Sequence, residues 1–225
     1  MIKNISNLGD AALYCDFGIQ VNKNINSEVI KYFKVIKESN IEGITNLTPS
    51  YNKLIISYDL RITNFKEIKD KIKNLNINET QKLNNKKLEI PVCCDSSFSM
   101  DIERLKDKLN LNKEKILKNF FDKEYFCYMT GFIAGMPFLG DLDENMRAQR
   151  LETPRVKVPK GSVGLTEQFA NIYTFESPGG WNIIGNTPLD VFDSSKENDP
   201  NLINPGDIVI FKQITFEKYK NYNEK

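Results

Sequence analysis

Arg155, Lys157, Lys160 and Glu176 are charged residues set among glycines and prolines, in the segments TPRVKVPKGSVG (153–164) and ESPGGW (176–181). Arginine grips a carboxylate or phosphate through two parallel hydrogen bonds, and lysine adds a compact point charge. Arg155 with Lys157 or Lys160 therefore suits an anion clamp. A second reading, a surface β-turn shaped by Pro159 and Gly161, stays open on residue types alone. Glu176 is a carboxylate at a strand end, where it serves either a proton transfer or simple solvation. The adjacent glycines of ESPGGW let backbone N–H groups approach a ligand, with Trp181 as a wall. Equally, they make a tight turn feeding a strand, with the chain's one tryptophan filling core space. The candidate catalytic residues are Arg155, Lys160 and Glu176. Ser162, Ser177, Gly179, Gly180 and Trp181 are candidates for substrate binding.

Other chemistries are excluded by what the sequence lacks. Histidine is absent, which removes Ser-His-Asp, Cys-His and His-metal mechanisms and leaves proton transfer to Asp, Glu, Lys, Tyr, Cys or a bound ligand. The cysteines, at 15, 93, 94 and 127, have no C-x-x-C spacing. Cys93 and Cys94 are neighbours in an expected strand and point to opposite faces, so they cannot clasp one ion, and no metal site is expected. Buried or half-buried free thiols are one reading, a nucleophilic cysteine the other. The KGS at 160–162 has the residue types of a P-loop in the wrong order, and no G-x-G-x-x-G occurs.

These residues need a framework, and hydrophobic periodicity supplies one. Residues 11–17 read as a strand; Ser27 is expected to cap a helix with Val29, Ile30, Phe33 and Ile36 on one face. Residues 42–47 and 53–58 flank TPSYN as antiparallel strands, and Thr63 is expected to open a helix carrying Phe65, Ile68, Ile72 and Leu75. A polar stretch, NINETQKLNNKK, then leads to the strand LEIPVCC, and the order β-α-β-β-α-β is that of a ferredoxin-like sheet. After two short helices starting near Ser99 and Asn112 come short β segments punctuated by Gly and Pro, at 125–129, 162–165, 172–176, 181–184, 189–192 and 207–214. Those spacings suit a compact barrel or sandwich. The expected fold class is α+β, with an α/β domain over 1–88 and a β-barrel domain over 89–225.

With 225 residues, 40% of them hydrophobic, the chain can bury a substantial core. A formal net charge of +1 gives no field for nucleic acid or an anionic membrane, and no apolar run approaches the roughly 20 residues of a membrane span. The expected location is the cytoplasm.

Seven collinear fragments resemble the KipI family, also described as the B subunit of 5-oxoprolinase or as allophanate hydrolase subunit 1. They are LGDAALYCDFG, LTPSYNKLIISYD, IPVCCD, GFIAGMPFLGDLD, TPRVKVPKGSVG, IYTFESPGGWNIIGNTPL and NPGDIVIF, and they run through nearly the whole chain. The resemblance implies a cyclophilin-like barrel in the C-terminal half. It implies membership of a complex with the KipA-like C subunit of 5-oxoprolinase and its LamB/YcsF-like A subunit, which opens the lactam of 5-oxoproline to L-glutamate using ATP. The ATP requirement belongs to the complex. Because the founding member is described as an inhibitor of a sporulation histidine kinase, the resemblance also carries a binding role as its alternative.

GFIAGMPFLGDLD looks like the family's signature loop, and is expected to shape one wall of a cleft. Phe132 and Phe138 would pack beneath it, with Gly131, Gly135 and Gly140 permitting its path. Four positions depart from the family pattern, and all are expected near that cleft. Phe120 stands where a histidine is usual, AGM at 134–136 replaces PGF, Phe169 and Ala170 replace a Gln-Thr pair, and Asn186 replaces an arginine. A divergent paralogue with altered substrate or lost catalysis is therefore a further alternative.

Overall fold

A computed structural model describes residues 1–77, 85–197 and 199–223, which form two compact units, Met1–Asn84 and Asn85–Lys225. The middle of the polar stretch after residue 75, residues 78–84, lies outside the described residues.

The first unit contains β1 (Asn4–Asn7), β2 (Ala12–Asp16), α1 (Lys23–Glu38), β3 (Ile44–Pro49), β4 (Lys53–Tyr58) and α2 (Phe65–Lys73). The four strands form one antiparallel sheet in the order β1-β2-β4-β3. Both helices carry their apolar stripe as the spacing predicts: Val29, Ile36, Ile68 and Ile72 are buried in one cluster with Leu13, Leu54 and Ile56, and Phe33, Phe65 and Leu75 pack against it. The caps lie elsewhere than expected. Asn22 caps α1 by accepting from Ile25 N, while Ser27 sits inside the helix and donates to Lys23 O. Asn64, not Thr63, caps α2. Asparagine is the better acceptor at such positions, because its short side chain reaches the orphan N–H groups of the first turn.

LEIPVCC does not close this sheet. It is β5 (Lys87–Cys93), which pairs in parallel with β13 (Ile208–Ile214) in the second unit, and the edge place beside β2 belongs to β1. Near-continuous burial of Ile90–Cys93 explains the difference, since a strand covered on both faces belongs inside a closed structure.

The second unit continues with α3 (Ile102–Leu109), α4 (Lys113–Phe121), β6 (Glu124–Thr130), β7 (Pro137–Gly140), β8 (Arg155–Val158), β9 (Ser162–Thr166), β10 (Phe169–Ile172), β11 (Ser177–Gly179), β12 (Asn182–Asn186) and α5 (Phe216–Lys220). Seven strands close into a barrel in the order β10-β7-β6-β13-β5-β12-β9, and β8 with β11 makes a separate two-stranded ribbon. The α+β class with a β-barrel is therefore as expected. Residues 172–176 and 189–192 are not strands: β10 ends at Ile172, and Phe192 makes only an isolated bridge with Asn201.

The barrel core holds Val92, Leu105, Tyr125, Leu139, Val163, Ala170 and Phe211, and Phe120 belongs to it. Phe120 is fully buried, with ring centroids 4.9 Å from Phe211 and 5.3 Å from Tyr125, and its carbonyl accepts from Tyr125 Oη at 2.9 Å. The expectation that this position lies at a cleft is corrected: it is part of the apolar packing between α4 and the barrel wall.

Candidate functional site

Asp101 precedes α3, where an aspartate would ordinarily cap the helix, yet its side chain makes no cap bond. Instead Oδ2 accepts from Ile183 N at 2.7 Å, while the Asp101 N–H donates to Ile183 O at 3.0 Å. The other oxygen pairs with Arg155 Nη2. This ties the start of α3 to β12 and to the first residue of β8, and it fixes the guanidinium in place. Arg155 Nη1 is buried and has no hydrogen-bond partner.

Next to Arg155 is a small core of Met136, Val158, Tyr173 and Ile183, with Ile133, Phe138 and Trp181 packed against it. It is built from the glycine-rich loop, the ribbon and the SPGGW segment, so the structure does bring these three stretches together. Phe138 and Trp181 meet edge to face at 5.7 Å. The Tyr173 hydroxyl is bound by the Trp181 backbone and the Asn171 side chain; burial raises its pKa, while the charges of Arg155 and Arg150 act in the opposite direction. Gly179 is required here: a Cβ would lie 2.0 Å from Tyr173 Oη. Two further buried polar atoms at this place, Asn171 Oδ1 and Ser177 Oγ, have no partner.

The charged candidates do not converge. Lys160 pairs with Asp190 at 2.7 Å and Glu176 with Lys157 at 2.8 Å, all four being exposed, while Arg155 pairs with Asp101. Ser162 is buried in the barrel wall, where its carbonyl accepts from Tyr173 N at 2.9 Å. Gly180 lies beside Arg150, at contact distance from its Nε. In the glycine-rich loop, Gly131 N donates to Met136 O at 3.0 Å. Gly135 adopts φ +70°, and Gly140 lies against Tyr128. Phe132 contradicts its expected place: it is 75% exposed at φ +69°, so it projects from the loop rather than packing beneath it. A left-handed backbone at a loop tip turns the side chain away from the small core.

Of the remaining departures, Met136 is buried in this small core and Phe169 packs on Phe138 and Tyr128, whereas Ala170 lies in the barrel core. Asn186 supports the turn at Lys160, donating to Lys160 O at 2.9 Å and accepting from Tyr219 Oη at 2.7 Å.

Asp101, Arg150, Asn171 and Tyr173 are not among the sequence candidates. Asp101 falls at the start of a helix expected near Ser99, and the partner that gives it its role is 54 residues away. Asn171 and Tyr173 stand in an apolar strand end, where their types signal only turn and core.

All four cysteines are free and buried. Burial pushes the Cys15 and Cys94 thiols up to about 12 and that of Cys127 higher still, which suits inert core thiols. Among the described residues no cluster of acidic and sulfur ligands could hold a metal ion, and no helix is long and apolar enough to cross a membrane.

The model of the carboxyltransferase domain, subdomain C and D, matches residues 3–203. Over 98% of its length the chain is 33% identical to the B subunit of the 5-oxoprolinase of Bacillus subtilis, covering 97% of that protein. The crystal structure of TTHA0988 superposes with a TM-score of 0.82 at 28% identity over 91% of the chain, which spans 40% of that longer protein. Urea carboxylase of Kluyveromyces lactis superposes with a TM-score of 0.79 over 98% of the chain and 22% of its own length; at 17% identity this shows the fold alone. A family model that spans most of the chain and a relative that matches it end to end place this protein in the carboxyltransferase subdomain C and D family, alongside the B subunit of 5-oxoprolinase.

Proposed function

We propose that the chain is the B subunit of an ATP-dependent 5-oxoprolinase, acting in the cytoplasm with the KipA-like C subunit of that enzyme and its LamB/YcsF-like A subunit to open 5-oxo-L-proline to L-glutamate. The observation that carries this reading is the end-to-end match to a B subunit, at 33% identity with nothing substantial left over in either chain.

The chemistry accounts for the need for several chains. An unstrained lactam is a poor electrophile; ATP, as a substrate of the complex, would phosphorylate its oxygen with release of ADP. Water would add to the activated carbon, the C–N bond would break to give the amine and an acyl phosphate, and a second water would release phosphate. This chain contributes a rigid anchor for an anion: Arg155, held through Nη2 by Asp101, has a buried Nη1 without a partner that can serve a charged acceptor. Trp181 and Phe138, packed edge to face, cover the small core that includes Val158 of the same strand. Lys160 and Glu176 act only on release from Asp190 and Lys157, which solvent-exposed pairs permit at small cost. Phe120, packed in the barrel core, offers no proton-transfer group, so this reading assigns any proton transfer to other residues.

The test is omission. The three chains are co-expressed and purified as a complex, and ATP-dependent glutamate release is compared with that of a preparation lacking this chain. Activity that requires the chain supports the reading, and full activity without it overturns it.

A further inference from the structure

Three guanidinium groups gather around the segment Gly179–Asn182, and only one has an acidic partner. Arg155, on the strand paired with Gly179, is bound by Asp101. Arg104 reaches Asn182 Oδ1 and, at 3.4 Å, the carbonyl of Gln149, both neutral acceptors. Arg150 has no carboxylate within 4.0 Å among the described residues, and its Nε stands 3.6 Å from where a Gly180 Cβ would be. The same point is 3.6 Å from Leu151 O and from Pro154 Cγ, the residue before Arg155. Gly179 pairs with Arg155 across the ribbon and Gly180 lies beside Arg150, so neighbouring residues bring both arginines to one segment. Ser177 Oγ adds a buried hydroxyl with no partner. The acids in the surrounding segments are Asp101, already engaged, Glu103, paired with Lys106, Glu176, paired with Lys157, and the exposed Glu152.

An excess of guanidinium over carboxylate is the chemistry of oxyanion recognition, because arginine offers paired donors. We propose that Arg150 and the buried, unpartnered Nη1 of Arg155, beside Gly180, form an oxyanion-binding site for a carboxylate or phosphate group. The proposed lactam-opening function enters only in the choice between the two: a substrate carboxylate is the favoured occupant, because the substrate of that reading carries one.

Trp181 is the only tryptophan, so its fluorescence reports on this spot alone. The full chain is titrated with 5-oxoproline, with its uncharged amide and with inorganic phosphate, and calorimetry follows the same titrations. At least one of the two anions binds saturably and the uncharged amide does not. Arg150→Met weakens the binding by about tenfold or more, the size expected for one charge-assisted hydrogen bond. Gly180→Ala, whose methyl group meets only ordinary contacts, weakens it while leaving the circular dichroism unchanged. Saturation by 5-oxoproline that phosphate does not displace assigns the site to the substrate carboxylate; saturation by phosphate assigns it to a phosphate group. Equal affinity in Arg150→Met, equal binding of the amide, or no saturable binding of either anion overturns the site. Anion binding by a chain whose complex opens no lactam leaves the site standing and removes the 5-oxoprolinase reading; lactam opening with unaltered anion affinity in Arg150→Met does the reverse.

Discussion

Asp101 and Arg155, 54 residues apart, form an ion pair in which the carboxylate is 4% exposed and the guanidinium 27%. The acid is spent on structure, and the base keeps one buried donor, Nη1, without a partner. Breaking a buried pair costs about 3–5 kcal/mol because the surviving charge is stranded, and the partial exposure of Arg155 puts this case at the low end. Asp101→Ala is therefore expected to lower stability by about 3 kcal/mol in urea titrations. Asp101→Asn keeps an acceptor for Ile183 N and should lose less. A change within experimental error for Asp101→Ala would show that the pair is incidental.

Gly135 and Gly179 should each resist alanine, for different reasons. Gly135 combines φ +70° with a Cβ position 2.4 Å from Phe192, so strain and collision add. Gly179→Ala collides with Tyr173 Oη and should displace the phenol and shift Trp181 fluorescence. Losses of about 2 kcal/mol or more are expected for both, measured by thermal or urea unfolding. A valine at 135 would thus report on folding as well as on activity, and cannot isolate a role of the loop in catalysis.

The exposed pairs behave in the opposite way. Lys160→Met and Glu176→Gln should leave stability unchanged, since surface ion pairs contribute little. Any fall in lactam-opening activity of the complex carrying either variant is then a functional effect. Unchanged activity in both would remove Lys160 and Glu176 from the catalytic candidates.

The thiols give a pH prediction. Cys15, Cys94 and Cys127 have folded-state pKa values raised above the ordinary 9.0 by burial. The unfolded thiol ionises first as pH rises, so the stability these groups confer is fully present below pH 9 and is lost progressively above it, toward about 12 for Cys15 and Cys94. Each adds a slope of up to about 1.4 kcal/mol per pH unit. Replacing Cys94 by alanine should flatten the alkaline limb of the stability profile, and native protein at pH 8 should resist alkylation that proceeds readily in denaturant. Rapid alkylation of the native protein would contradict the burial of these groups.

Much of the framework is legible in the chain. The stripes Val29–Ile36 and Phe65–Leu75 repeat at helical spacing and pack as that spacing requires. The strand β7 begins on Pro137 and shows no alternation, and β8, although RVKV alternates charged and apolar residues, is only four residues long and stands among prolines and glycines that read as a turn. LEIPVCC is legible as a strand but not in its partner, because parallel pairing with β13 joins segments more than a hundred residues apart. The site shows the same limit. Arg155, Phe138, Trp181 and the glycines stand out by type and punctuation, whereas Asp101 and Tyr173 acquire their roles only from contacts across the fold. Phe120 is recognisable as a substitution, but only the packing of three aromatic rings places it in the core.

The most direct test of the central claim is add-back. An extract containing the other two components of the complex but lacking this chain is supplied with the purified protein, and conversion of labelled 5-oxoproline to glutamate is followed with and without ATP. Conversion that appears only when both the chain and ATP are present is the result the account requires; an extract that converts equally well without the chain, or stays inactive although all three chains assemble, would contradict it.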